Sequence, residues 1–171
     1  MIWINPATVK YYKKGILTKT EEKQNNKNTT EVYTYLENGK PAGIDITTGN
    51  LQFHTSFFYD AQDRCTQEIQ INTKTKKEIY KRTRTFDADG TIQSDSLKYT
   101  DGRLVLSSYN RQGKLIEEKE YNKDVMLSST MHQYDSKGNE IRSQYVLPLP
   151  KNPLPTQISS QTDVYEYDKY G

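Results

Sequence analysis

Apolar and polar positions alternate with a period of two along most of the chain. Leu51, Phe53, Thr55, Phe57 and Tyr59 stand against Gln52, His54, Ser56 and Phe58, and Ile141, Ser143, Tyr145 and Leu147 stand against Glu140, Arg142, Gln144 and Val146. This is the period of β-strands, whose successive side chains point to opposite faces. Residues 79–86 and 115–121 carry Lys, Arg or Glu on both faces, so these strands are expected to be wet on both sides. Helix periodicity is weak throughout.

Between the strands a short unit recurs: an aromatic residue, then Asp or Asn, two further residues, and Gly. It reads Tyr134-Asp135-Ser136-Lys137-Gly138, Phe86-Asp87-Ala88-Asp89-Gly90, Tyr109-Asn110-Arg111-Gln112-Gly113 and Tyr167-Asp168-Lys169-Tyr170-Gly171, with a variant, Tyr35-Leu36-Glu37-Asn38-Gly39, that has Leu in the second place. Shortened forms are Tyr99-Thr100-Asp101-Gly102 and Tyr12-Lys13-Lys14-Gly15. A type I turn favours Asp or Asn first and Gly fourth, and in a hairpin the Gly takes the left-handed conformation of a G1 bulge. Asp87 with Gly90, Asn110 with Gly113, and Asp135 with Gly138 are therefore structural turn residues, and the aromatic before each ends the incoming strand.

Aromatics opening these units stand at 86, 99, 109, 121 and 134, and earlier ones at 12, 35, 59 and 86 have about twice that spacing. Each wider interval holds a polar turn near its middle, at 24–28, 47–50 and 72–75. The chain is thus expected to reverse about every dozen residues. The predicted fold is all-β: a long antiparallel meander of about twelve short strands joined by tight hairpin turns, with little or no helix. A twist of about 20° per strand makes the sheet curved or barrel-like. Residues 1–147 form the hairpin-repeat domain. Four of the six prolines fall within 148–155, so 148–162 reads as a Pro-rich polar linker or irregular segment, its PxxP at 150–153 a rigid spacer. Residues 163–171 resume as the strand and turn of a further repeat unit. Because that unit stops on its turn glycine, either more units follow or its returning strand is missing.

Composition sharpens the picture. Hydrophobic residues make up 33% and charged residues 27% of 171, which leaves little material for a dry interior. The 14 Tyr, 4 Phe and 1 Trp nevertheless argue for folding, and the excess of Tyr predicts half-buried rings with hydroxyls at water. A net charge of +2 argues against a polyanion partner. Cys65 is the single cysteine, which excludes an internal disulfide, and it reads as an ordinary strand side chain. No apolar run approaches 18 residues, so no membrane span is expected.

Candidate chemistry is sparse. His54 and His132 lie on different strands with no second His or Cys nearby, so no metal site is expected. Asp87-Ala88-Asp89-Gly90 opens like a calcium loop but lacks the later bidentate Glu, and a hairpin turn is the better reading. Glu117 and Glu118 point to opposite faces of a strand, wrong for shared acid–base work. No nucleophile elbow and no phosphate-binding glycine loop occur. No catalytic residue and no cofactor is expected, and the protein reads as a non-enzyme. Binding is the remaining expectation. Tyr80, Arg82 and Arg84 share one strand face in the basic run 74–84, a platform for a base or sugar. Tyr99, Tyr109, Tyr121 and Tyr134 end successive strands, alternate ones on one edge, as a surface for a protein or glycan.

The aromatic-Asp-x-x-Gly units at 86, 134 and 167 resemble the YD repeats of bacterial RHS-type surface and toxin-shell proteins, and Tyr35-Leu36-Glu37-Asn38-Gly39-Lys40 is similar to MORN-variant repeats. The resemblance implies a bacterial cell-envelope or exported protein built of stacked hairpins, a non-enzymatic scaffold that binds a protein or glycan. The alternatives are polyanion or nucleic-acid binding through residues 74–84, and a hydrolase whose site is not recognised.

Overall fold

A computed structural model of the protein describes residues 7–24, 27–147 and 160–165. Thirteen strands make up the regular structure: β1 (Ala7–Lys13), β2 (Ile16–Gln24), β3 (Lys27–Tyr35), β4 (Pro41–Thr48), β5 (Leu51–Tyr59), β6 (Cys65–Asn72), β7 (Glu78–Phe86), β8 (Ile92–Tyr99), β9 (Arg103–Tyr109), β10 (Leu115–Asn122), β11 (Val125–Tyr134), β12 (Glu140–Val146) and β13 (Ser160–Val164). Their order is the order of the chain, with β1 and β13 at its two ends. The fold is the antiparallel meander that the alternation predicts. No helix among the described residues is long and apolar enough to cross a membrane.

The chain divides into two compact units, Met1–Lys81 and Arg82–Gly171. In the first, β1 to β6 pair consecutively and antiparallel. In the second, β8 to β13 do the same. β13 begins at Ser160, inside the segment 148–162 read as linker or irregular and upstream of residue 163, from which a strand is expected. Ser160-Gln161-Thr162-Asp163 is polar, but pairing with Val146 to Ser143 on β12 satisfies its backbone. The Pro-rich stretch at 148–155 and the turn unit at 167–171 lie outside the described residues.

Five turns share one hydrogen-bond pattern, in which the first residue donates its N–H to the carbonyl of the fifth and the fourth donates to the carbonyl of the first. They begin at Leu36, Asp60, Asp87, Asn110 and Asp135. The side chains of Asp60, Asp87, Asn110 and Asp135 each accept two further main-chain N–H bonds through one oxygen. The fourth residue is left-handed in each: Gly39, Gly90, Gly113 and Gly138, and Asp63 at φ 63° where glycine is absent. At Gly90 nothing lies within 4 Å of a would-be Cβ, so the need for glycine there is conformational and not steric. Just before three of these turns the register slips, between Thr34 and Tyr35, Phe58 and Tyr59, and Gln133 and Tyr134. The bulge therefore sits at the strand-end tyrosine.

These turns lie about two dozen residues apart, so the repeating element is a pair of strands and the intervening turns are of another kind. Lys123 and Asp124, for example, form a two-residue turn with φ 47° and 66°. A meander reverses at every strand, so the five-residue turns of each unit share one edge; the β1–β2 turn on that edge, Lys14-Gly15 with φ 50° and 80°, is of the two-residue kind instead.

Neither unit has an apolar core: among the described residues no hydrophobic side chain is buried, whereas Thr55, Asp95, Ser107 and Ser129 are. Half-exposed side chains line both faces instead, as the thin apolar content leads one to expect. In the first unit the imidazole of His54 lies over Gly43, where an added Cβ would meet His54 Cε1 at 2.9 Å. Gln70 donates to the hydroxyl of Thr55 at 3.1 Å. In the second unit directly paired residues form a polar row across six strands, Asp95, Ser107, Glu118, Thr130, Tyr145 and Gln161. Backbone ladders and such rows carry the stability that burial would otherwise supply.

Candidate functional site

The strand-end tyrosines have a structural duty and a surface. Tyr35 donates its hydroxyl to the carbonyl of Leu17, Tyr59 to that of Pro41 and Tyr134 to that of Leu115. In each case the acceptor lies at the start of the preceding strand, just after the previous turn on the same edge. The hydroxyl so ties the strand end to the preceding strand, while the bulge at the same tyrosine lies in the ladder to the following one. Burial pushes the phenols of Tyr59 and Tyr134 above their ordinary range, with the nearby Glu140 carboxylate adding to the effect at Tyr134.

Consecutive turns of the same edge also touch. In the first unit Lys40, the last residue of its turn, reaches the backbone carbonyl of Asp63 at 2.5 Å and its carboxylate at 3.4 Å. In the second, the would-be Cβ of Gly113 lies 3.5 Å from Thr91, and that of Gly138 lies 3.6 Å from Lys114. The fifth position of one turn thus meets the fourth of the next, and the turns form a regular stack within each unit.

Two open concavities lie between successive turns of the second unit. One, of about 380 Å³, is walled by Asp87, Asp89, Gln93 and Tyr109, and the other, of about 670 Å³, by Ile116, His132, Tyr134 and Ile141. Asn110 and Arg111 line both. His132 Nδ1 meets Glu140 Oε1 at 3.0 Å, and its ring lies 6.5 Å from that of Tyr134 at 27°. The hydroxyl bond to Leu115 and the histidine together fix the Tyr134 ring at the concavity wall.

The other expected positions are placed as follows. Tyr80 donates its hydroxyl to Glu68. Arg82 lies against Asp95, its Nε 2.9 and 2.7 Å from the two carboxylate oxygens, and Arg84 Nε is 3.4 Å from one of them. Asp95 is 5% exposed. Tyr99 ends β8 beneath the guanidinium of Arg103, 4.2 Å from its ring centre, and Arg103 also pairs with Asp101 at 2.9 Å. Tyr121 is the penultimate residue of β10. Tyr109 and Tyr134 therefore belong to the edge of the Asp- and Asn-led turns, and Tyr99 and Tyr121 to the opposite edge. Glu117 pairs with Lys119 at 2.8 Å while Glu118 accepts from Ser107, so the two carboxylates are on different faces.

Sequence reasoning placed a reversal after Tyr59 without naming its turn residues Asp60 and Asp63, and missed Asp95, and Arg111, Ile116 and Ile141 in the concavities. Asp95 had a signal, because an Asp in mid-strand after a turn at 87–90 must face the basic positions of β7. The turn at Asp60 had one as well, in the pair Tyr59-Asp60. Among the described residues no three His, Cys, Asp or Glu side chains converge as a metal site requires.

No protein-family model matches the chain, and no curated protein does. Among solved structures, a chain of the TcdB2-TccC3-Cdc42 crystal structure aligns with a TM-score of 0.48 at 13% identity, over 92% of this chain and 10% of that one. The protein thus spans about a tenth of that chain's length.

Proposed function

We propose that the protein is a non-enzymatic hairpin-repeat scaffold, of the YD-repeat kind, from a bacterial cell envelope or an exported protein, and that it binds a protein or glycan through its tyrosine-bearing turn edge. The observation that carries this reading is Tyr134: its hydroxyl is fixed to the Leu115 carbonyl while its ring lines an open concavity of about 670 Å³. A ring held in place before any ligand arrives loses little side-chain freedom on binding, which favours recognition. The two-strand repeat closed by aromatic-Asp-x-x-Gly turns supports the likeness to YD repeats. Arg82 and Arg84, on which polyanion binding would draw, are ion-paired with Asp95.

The test is binding of the purified chain to arrayed glycans and arrayed envelope proteins, with each bound ligand recovered and weighed. The reading expects a ligand returned chemically intact, and binding weakened by Tyr109→Ala or Tyr134→Ala. A ligand recovered cleaved, or binding confined to nucleic acid and abolished by moderate salt, would overturn it.

A further inference from the structure

We infer that the two concavities on the turn edge of the second unit are successive subsites for one extended, uncharged β-1,4-linked glycan, one disaccharide to each. The inference rests on the binding reading above and names its ligand.

The turns at Asp87, Asn110 and Asp135 share one edge and are separated by two strands each. Strands in a sheet lie 4.7–4.9 Å apart, so equivalent points on successive turns are separated by about 9.5 Å. That is close to the length of one disaccharide in an extended β-1,4-linked chain, whose sugars flip at each residue and so present the same face only at every second one. The turn stack shows the equivalence directly, since Gly113 meets Thr91 as Gly138 meets Lys114.

Lining chemistry agrees. Each concavity has one strand-end tyrosine at the same place in the repeat, Tyr109 in the first and Tyr134 in the second. An aromatic face suits the C–H face of a pyranose. Around the rings stand groups that hydrogen-bond hydroxyls: Gln93 and Asp89 in the first and Gln133 in the second, with Asn110 and Arg111 shared. Asp87, Asp89 and Asp135 outnumber Arg111, so a sulfated or phosphorylated polymer would be repelled. A proline-rich peptide in the polyproline II form repeats every three residues, about 9.3 Å, and would match the pitch. Its prolines carry no N–H, however, and leave a carboxylate such as Asp89 without a donor, whereas sugar hydroxyls supply donors throughout.

The experiment titrates the whole chain, labelled with ¹⁵N, with cellobiose, cellotetraose, chitobiose, chitotetraose and decaproline. One of the two tetrasaccharides is expected to bind on the order of tenfold more tightly than its disaccharide, because the second contact becomes intramolecular. Amide shifts should fall in residues 87–93, 109–116 and 132–141. Arg111→Ala and Gln93→Ala, both exposed, should return the tetrasaccharide to disaccharide affinity, and Tyr99→Ala on the opposite edge should leave it unchanged. Since Tyr134→Ala also removes a backbone contact, the two exposed variants keep the test independent of folding. Equal affinity for both lengths, shifts on the opposite edge, absence of binding by any of the sugars, or tighter binding of decaproline would each overturn the inference. Binding of another ligand class on the arrays would still leave the scaffold reading in place.

Discussion

Replacing Asp95 should destabilise the second unit more than any surface change. Its carboxylate is 5% exposed and receives Arg82 through Nε at 2.9 and 2.7 Å and through Nη2 at 2.6 Å, with Arg84 Nε at 3.4 Å. Removing one partner of a buried ion pair typically costs about 3–5 kcal/mol, because the remaining charge keeps its desolvation cost without compensation. The Arg82 side chain is 36% exposed and can rehydrate, but that of Arg84 is only 17% exposed. The lower end applies: about 3 kcal/mol for Asp95→Ala, and about 2 kcal/mol for Asp95→Asn, whose carbonyl still accepts one bond. With a urea m-value of about 2 kcal/mol/M, the alanine variant should lose roughly 1.5 M of its unfolding midpoint. Circular dichroism at the β minimum reads this directly. The triple variant Arg82→Met, Arg84→Met, Asp95→Leu should recover part of the loss, since it removes both arginines together with the carboxylate they share. A midpoint shift in Asp95→Ala below about 0.3 M, equivalent to an exposed pair, would refute the reasoning.

Further outcomes follow from the turns. Tyr134→Phe and Tyr59→Phe should each lower stability by about 1 kcal/mol in urea unfolding, the value of one hydrogen bond to a main-chain carbonyl, and should leave the fold unchanged by circular dichroism. Main-chain N–H donors, from Arg64 to Asp60, Arg103 to Asp101 and Asn139 to Asp135, hold these three carboxyls below the ordinary carboxylate range. Groups with depressed folded values stabilise fully above the unfolded value near pH 4 and lose that contribution as pH falls through the folded one. The thermal midpoint should therefore be flat above about pH 5 and fall below about pH 4, and Asp135→Asn, which keeps the acceptor without the titration, should flatten that fall. Asp124→Gly should raise stability by about 0.5–1 kcal/mol, because residue 124 sits at φ 66°, where glycine is unstrained.

The meander was legible because its information is local. Asp or Asn at the first turn position and Gly at the fourth decide a reversal within five residues, and alternation decides what lies between. Properties that depend on register across strands were not legible in the same way. Asp95 faces Arg82 and Arg84 only once the hairpin at 87–90 is closed, and so a strand that reads as an open basic platform holds a buried carboxylate. The reversal after Tyr59 was legible from the aromatic spacing, but its turn residues were obscured by a residue-type rule, since Asp63 occupies the left-handed position that glycine usually marks. The scarcity of dry interior was legible in the composition, but not which positions close over: they are Thr55, Ser107 and Ser129, small enough for neighbouring strands' side chains to cover. A pitch of a dozen residues hid the true repeat of two strands, because both kinds of turn are built from polar residues and follow an aromatic strand end at Tyr99 and Tyr121 as at Tyr109 and Tyr134.

The central claim is that consecutive strands pair in the stated register, with aromatic-led turns of one kind stacked along one edge. Nuclear Overhauser contacts between backbone protons test it most directly. The account predicts cross-strand contacts for Asp95 with Ser107, Ser107 with Glu118, Glu118 with Thr130 and Thr130 with Tyr145, together with positive φ at Gly90, Gly113 and Gly138. Contacts displaced by one residue along any of these ladders, or helical contacts between residues three apart within β8 to β12, would contradict it.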